Sequence, residues 1–213
     1  MVIALIGATG FVGSSILSEL LHRGHHVTAL LRDPSRLTTH EHLRAVQADV
    51  QNEGDVARAV AKHDAVVSAF NPGWDNPKIY GDYLSGTRAI IDGVKAAGLS
   101  RLLTIGGAGS LFVAPGVQGL DRPDFTGKYR PGAMAARDAY VLLSHEPSLA
   151  WTVLSPPPQL EPGERTGIFR IGGDDVLVGA DGTSRITTAD LAVAVVNELE
   201  TPAHVRRRFT VAY

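Results

Sequence analysis

Val2-Ile3-Ala4-Leu5-Ile6, then Gly7-Ala8-Thr9-Gly10-Phe11-Val12-Gly13, then an amphipathic run to Arg23: this opening stretch decides the fold. Five continuous apolar residues have the length of a strand buried on both faces. A helical pattern over residues 11–23 follows the glycines and stops at Gly24. Strand, glycine turn and helix in that order are the setting in which such a loop cradles a pyrophosphate. Gly7 permits the tight turn, Gly10 has no side chain to hold a phosphate off, and Gly13 lets helix and strand approach. The helix N-terminus adds free N–H groups and a partial positive charge. The plainer alternative is a glycine turn that binds nothing. The complete strand–helix–strand unit around it favours the ligand.

The alternation continues outward. Strands are expected at His26–Leu31, 43–48, 65–70, Arg101–Ile105 and 151–155. Helices are expected from the Asn52 cap to about 63, over 79–97 with Gly98 beyond its end, and over 131–145. Gly106-Gly107-Ala108-Gly109 follows the fifth strand, and Pro156-Pro157-Pro158 cuts off the sixth. Residues 108–128 lack periodicity and read as a long loop. Gly172-Gly173 suggests a hairpin between 167–171 and 175–178, with a short strand at 184–186. Thr187-Thr188-Ala189-Asp190 resembles a capping box for a helix ending at Glu200, and 208–211 is a last strand. Repeated strand–helix units with right-handed crossovers give an α/β fold, a Rossmann-type doubly wound, mostly parallel sheet. The chain is expected to be a single NAD(P)-binding domain over 1–213, with 108–130 and 156–186 as substrate-side loops over the carboxyl edge of the sheet.

Composition narrows the function. The chain has 213 residues, 44% apolar and 20% charged, enough for a full core. With 20 basic and 22 acidic residues it carries a net charge of −2, so it has no surplus to neutralise nucleic acid. Absence of cysteine excludes disulfides, thiolate metal sites and a cysteine nucleophile. No apolar stretch is long enough to span a membrane. The apolar start lacks the basic segment of a signal peptide, so the expected location is cytoplasmic. Sixteen arginines against four lysines suit a GC-rich bacterial genome. His40-x-His42 is read as a loop pair, and no metal is expected. The expected partner is a small planar molecule, with the protein a monomer or homodimer.

The end of the second strand bears on the choice of nicotinamide cofactor. An acidic residue there accepts from a ribose 2′-hydroxyl, whereas arginine pairs with a 2′-phosphate. The sequence reads Leu31-Arg32-Asp33-Pro34-Ser35-Arg36. Arg32, Ser35 and Arg36 favour NADP(H) over NAD(H), because guanidinium suits bidentate phosphate contact. Asp33 competes, standing about 20 residues beyond the glycine loop, where the acidic residue is expected. Its place before proline favours a turn-forming role.

The GATGFVG loop, Arg32-Asp33-Pro34-Ser35-Arg36-Leu37 and Ala48-Asp49-Val50 resemble the atypical short-chain dehydrogenase/reductases. Thr104-Ile105-Gly106-Gly107-Ala108-Gly109-Ser110, Pro162-Gly163-Glu164-Arg165-Thr166-Gly167 and the ending Phe209-Thr210-Val211-Ala212-Tyr213 are similar to the NADH-flavin reductase and flavin/biliverdin reductase group, which has NmrA-like relatives. This resemblance implies Thr9, Gly10, Phe11 and Val12 around the pyrophosphate and Arg32, Ser35 and Arg36 near the 2′-phosphate. It puts Asp49 and Val50 near the adenine, although Asp49 reads equally well as a helix-initiating residue. Ser68, Ala69 and Phe70 would line the ribose side, Gly106 and Gly107 the nicotinamide, and Pro156 and Pro157 its carboxamide edge.

The acid of most carbonyl-reducing members, Tyr-x-x-x-Lys, is absent: the residues four beyond Tyr80, Tyr83, Tyr129 and Tyr140 are Leu84, Thr87, Ala133 and Ser144. Ser110 is the candidate catalytic residue, and Gln159 stands where the flavin/biliverdin reductases place a histidine. Trp74, Phe112 and Phe169 are candidates to stack on a flat ring, and the loop holding Glu164 and Arg165 to cap it. The function so implied is an NADPH-dependent reductase passing hydride to a planar acceptor such as FMN, FAD or a quinone. The alternatives are a non-catalytic NmrA-like redox sensor and a specialised biosynthetic reductase or isomerase.

Overall fold

A computed structural model describes residues 1–213. Strand β1 (Val2–Ile6) runs through the glycine turn into α1 (Gly13–His22), followed by β2 (His26–Leu31), β3 (Leu43–Gln47), α2 (Glu53–Val60), β4 (Ala65–Ser68), α3 (Ile79–Ala96) and β5 (Arg101–Ile105). Next come β6 (Phe112–Ala114), β7 (Val117–Gln118), α4 (Arg130–Ser144), β8 (Ala150–Ser155), β9 (Gln159–Glu161), β10 (Arg170–Gly172), β11 (Arg185–Thr187), α5 (Thr188–Glu200) and β12 (Arg207–Ala212). Eight strands form one sheet in the order β10-β12-β8-β5-β4-β1-β2-β3. All pairs are parallel except β10 with β12. This is the doubly wound Rossmann arrangement, with its strand order reversing at β1.

The two faces follow from the two-residue period of the strands. Ile3 and Leu5 of β1 point into a core with Ile16 and Leu20 of α1, Leu191 and Val195 of α5, and Phe209 of β12. Ala4 and Ile6 point the other way, against Val56 and Val60 of α2, Ile90 and Val94 of α3, and Leu143 and Trp151. Asn52 caps α2 by accepting from the Asp55 N–H at 3.0 Å, and Gly98 beyond α3 has φ +74°. No helix is long and apolar enough to cross a membrane.

Three expectations need correction. Residues 108–128 are not one irregular loop. They hold two short 3-10 turns and the β6–β7 hairpin, whose turn contains Gly116 at φ +74°. The hairpin across Gly172-Gly173 does not form. Instead β10 pairs with β12, Arg170 opposite Ala212, and Asp175 bridges to Phe112. The open edge of β12 takes β10 in three residue pairs, and the Leu177 side chain occupies the space beside Gly172. The capping box is half made. Thr187 Oγ1 accepts from the Asp190 N–H at 3.1 Å, but the Thr187 N–H donates to the Tyr213 hydroxyl. The Asp190 carboxylate is occupied elsewhere, accepting from the N–H groups of Thr166 and Gly167 and from the Tyr213 hydroxyl.

Candidate functional site

The carboxyl ends of β1, β2, β4, β5 and β8 open onto one cleft of about 1710 Å³. Its first wall is the glycine loop. Gly7 has φ +83°, and a Cβ there would lie 2.5 Å from the Ala69 carbonyl oxygen; one on Gly13 would lie 1.9 Å from the Gly7 oxygen. Both glycines are therefore obligatory for backbone packing, whereas a Cβ on Gly10 would meet only the Gly7 oxygen, at 3.2 Å. The N–H groups of Phe11, Val12 and Gly13 donate to no backbone carbonyl, and the N-cap residue Val12 has no side chain that accepts from them. Three free donors at a helix N-terminus make an anion cradle. Thr9, Gly10, Phe11 and Val12 line the cleft beside it.

Arg32, Asp33 and Arg36 line the end beyond β2. The two guanidinium groups form no ion pair. Asp33 caps its own turn, one carboxylate oxygen accepting from the Ser35 N–H at 3.1 Å and from the Ser35 hydroxyl at 2.6 Å. These bonds hold its carboxyl below the ordinary range, chiefly the one from the Ser35 hydroxyl. Ser35 is thereby turned to Asp33 and is not among the lining residues. Asp49 and Val50 line the adjoining wall. Asp49 closes a local turn by accepting from the Gln51 N–H at 3.0 Å, while Asn52 caps α2, so Asp49 is not the helix cap.

Ala69, Phe70, Gly106, Gly107, Pro156 and Pro157 form the middle of the cleft. Ser68 lies beneath it, 3% exposed. The Phe70 ring sits over α3 where Gly86 has no side chain; a Cβ there would lie 2.4 Å from the ring. A Cβ on Gly106 would lie 2.8 Å from Val153, and one on Gly107 would lie 3.0 Å from the Ala136 methyl of α4. Gly107 therefore faces a helix, not open space.

Past this shelf the cleft continues between Asn71, Trp74, Tyr83, Phe125, Tyr129 and Ala133. Trp74 packs over Gly132, and its ring stands edge-on to Tyr129 with centroids 5.3 Å apart. Of the residues expected in this half, the structure brings in Trp74 alone. Ser110 is 1% exposed; its hydroxyl is tied to the Gly107 carbonyl at 3.2 Å and accepts from Arg208 at 3.0 Å. Arg208 itself is buried, pairs with Asp174 at 2.7 Å and lies over the Tyr140 ring. Phe112 belongs to β6, and Gln159 starts β9, which pairs with β11; neither lines the cleft. Arg165 does not cap the opening either. It forks onto Glu19 of α1 at 2.7 and 2.8 Å, and Phe169 packs on the core between α1 and α5. Only 156–158, Leu160 and Val176 of the segment 156–186 line the cleft. Tyr83, Phe125 and Tyr129 had no local motif to announce them, since α3, α4 and the loop before α4 meet only in the folded chain.

No group of three or more His, Cys, Asp or Glu side chains converges to hold a metal ion. The donor set fits a dinucleotide instead: free N–H groups for a pyrophosphate, glycines that keep the backbone close, and unpaired arginines beyond β2. Fold and site together define a nucleotide-binding protein of the Rossmann class. A family model described as NAD(P)H-binding matches residues 7–202. The chain belongs to this NAD(P)H-binding oxidoreductase family, among the Rossmann proteins that resemble atypical short-chain dehydrogenase/reductases. It is 40% identical over 216 residues to the Bacillus subtilis protein YwnB, covering 99% of this chain and 98% of that one. A Bacteroides thetaiotaomicron structure named a "putative epimerase" is 43% identical, with TM-score 0.93 and coverage of 100% and 96%. A Streptococcus pneumoniae structure named a "putative NADH-flavin reductase" is 30% identical, with TM-score 0.87 and coverage of 100% and 99%.

Proposed function

We propose that the chain is an NADPH-dependent reductase that passes hydride to a planar acceptor such as a free flavin or a small quinone. One observation carries this reading: the cleft does not end at the Gly106-Gly107 shelf but continues into an aromatic-walled half. Its volume of about 1710 Å³ exceeds the roughly 300–1,000 Å³ of a single small-molecule site. Cofactor and acceptor can share it. The name of the Streptococcus relative points to the same acceptor class, while the unpaired Arg32 and Arg36 favour the phosphorylated cofactor here.

Bound, the reduced nicotinamide supplies the hydride. The chain supplies position. The free N–H groups after Gly10 would hold the pyrophosphate, Arg32 and Arg36 the 2′-phosphate, and Phe70 and the Gly106-Gly107 backbone would flank the nicotinamide. Trp74 would offer a face to a flat ring, with Tyr129 edge-on beside it. Alignment of two rings in this way supplies several kcal/mol without a strong acid. Anaerobic oxidation of NADPH with riboflavin, FMN, FAD and 1,4-naphthoquinone tests the reading; turnover at a modest rate is expected. NADPH binding with no acceptor reduced would overturn it and leave the NmrA-like sensor as the better description. Ala133→Leu, which extends a side chain from α4 into the aromatic half, is expected to abolish turnover and spare NADPH affinity. Gly107→Val is unsuitable for this purpose, because its side chain would strike Ala136.

A further inference from the structure

We propose that Tyr83 is the hydrogen-bond donor of the acceptor site, its phenol donating to a carbonyl oxygen of the bound planar molecule. This rests on the acceptor reading above and gives it a catalytic residue. Tyr83 projects from α3 and lines the cleft although it is 6% exposed. Its ring lies 6.0 Å from that of Phe70 at the end of β4, and packs on Ala135, Ala136 and Ala139 of α4. Ala136 in turn touches the Gly107 shelf after β5. Tyr83 thus stands where the two halves of the cleft meet.

The hydroxyl bonds to no group of the protein. Tyrosines buried this deeply normally find a partner for the O–H. Tyr80 donates to Asp138 at 2.7 Å and Tyr213 to Asp190 at 2.7 Å, whereas Tyr140, packed on Trp151 and Arg208 away from the cleft, also has no protein partner. An unpartnered phenol at the junction of a ligand cleft is a donor kept for the ligand. Burial pushes it up to about 12, so it stays protonated and donates at every working pH. Position i+4 holds Thr87, whose hydroxyl donates to the Tyr83 carbonyl at 2.8 Å and cannot lower the phenol as a lysine would.

That combination suits one chemical class. Hydride and its electron pair, taken from the reduced nicotinamide, leave one net negative charge on the acceptor. A quinone gathers the charge on its carbonyl oxygens. The phenol stabilises it by a hydrogen bond and keeps its own proton, and solvent water supplies the proton that completes the hydroquinone. A simple ketone, whose alkoxide must be protonated in place, gains far less from such a donor.

The experiment compares wild type, Tyr83→Phe and, as control, Tyr80→Phe. The probes are 1,4-naphthoquinone and its 2-hydroxy derivative, an anion at neutral pH with its charge on the ring oxygens. Binding to protein saturated with NADP⁺ is read from quenching of tryptophan fluorescence, reduction from anaerobic NADPH oxidation, and folding from the melting temperature. Tyr83→Phe is expected to weaken the anion about tenfold or more, because hydrogen bonds to charged groups are the strong ones. The neutral quinone should weaken less, kcat for its reduction should fall about tenfold, and NADPH affinity should hold. Tyr80→Phe should change none of these. A Tyr83→Phe protein that binds the anion as wild type does refutes the proposal, as does one whose loss lies in NADPH affinity. A wild type that binds NADPH but neither binds nor reduces either probe refutes the acceptor reading itself, and the donor with it.

Discussion

The two edges of the sheet treat charge in opposite ways. Where the strands begin, cations are matched. Arg101, at the start of β5, pairs with Glu198 at 3.1 Å, and Glu198 also binds His204 at 2.8 Å. Glu19 takes both Arg23 and Arg165, and Glu200 takes Arg23 and His25. Where the strands end, Arg32 and Arg36 have no carboxylate, three N–H groups have no acceptor, and the Tyr83 phenol has no partner. What marks this edge as a ligand site is that the glycine loop, Arg32, Arg36 and Tyr83 all line one cleft. The amino edge is finished by the chain itself in charge, although Arg101 Nε and His63 Nε2 stay buried without a partner; the carboxyl edge keeps its free donors along one cleft.

The largest effect expected from this contrast lies at the finished edge. Glu198→Ala strips Arg101 of its partner, leaving a guanidinium that is 12% exposed with no counter-charge. Removing one member of a buried pair costs about 3–5 kcal/mol. Urea denaturation is expected to show a loss of that size with cofactor affinity unchanged in the folded fraction. A loss below about 1 kcal/mol would break the comparison. Two buried carboxylates set the acid response, Glu198 at this edge and Asp190 at the other end of α5, beside Tyr213. Burial alone would raise Glu198 and Asp190, but hydrogen bonds from His204 and Ala203 to the first, and from Thr166, Gly167 and Tyr213 to the second, bring both below the ordinary carboxylate range. A depressed folded-state value stabilises the fold above the unfolded value, and that stability is lost as pH falls through the folded one. Melting temperature is therefore expected to hold near neutrality and fall below about pH 4.5, and Asp190→Asn should flatten that fall.

At the open edge the effects fall on binding. Arg32→Ala is expected to weaken NADPH by about 1.5–3 kcal/mol, roughly ten- to hundredfold, while NADH binding and the melting temperature stay nearly constant. Calorimetric titration of both cofactors decides it. Equal affinities for NADPH and NADH in the wild type would mean that the arginines only look free.

The same contrast explains what the sequence discloses. The cofactor half of the cleft is made by backbone: a glycine loop and the first residues after each strand, all local in the chain. Gly7, Arg32, Asp49 and Phe70 could be placed along the cleft for that reason. The aromatic half is made by side chains that converge from distant segments. Ser110 looked available because nothing nearby occupies it, yet Arg208, 98 residues further on, does. The expected hairpin at Gly172 lost to β12, about 40 residues away. Tyr83 carries no motif; its meaning comes from Phe70 and Ala136, which the fold brings to it.

The smallest effect sharpens the comparison most, because it concerns an exposed charge beside the free arginines. Asp33 stands between Arg32 and Arg36 in sequence and lines the same part of the cleft, but its carboxylate is held by Ser35. If the site is built for a 2′-phosphate, that negative charge opposes the ligand and is tolerated for the turn it makes. Asp33→Asn keeps an acceptor for the Ser35 N–H and removes the charge. In water-exposed surroundings a unit charge a few ångströms away changes affinity only modestly. NADPH affinity is therefore expected to rise about three- to fivefold at low salt, with NADH unchanged. Raising ionic strength to 0.5 M should erase most of the gain, since the screening length then falls to about 4 Å. If Asp33 instead accepts from the ribose hydroxyls of NADH, the substitution acts the other way: NADH weakens and the benefit to NADPH does not depend on salt. Titrations of both cofactors at two salt concentrations separate the two geometries, and the second result would turn the open edge into a site for the unphosphorylated cofactor.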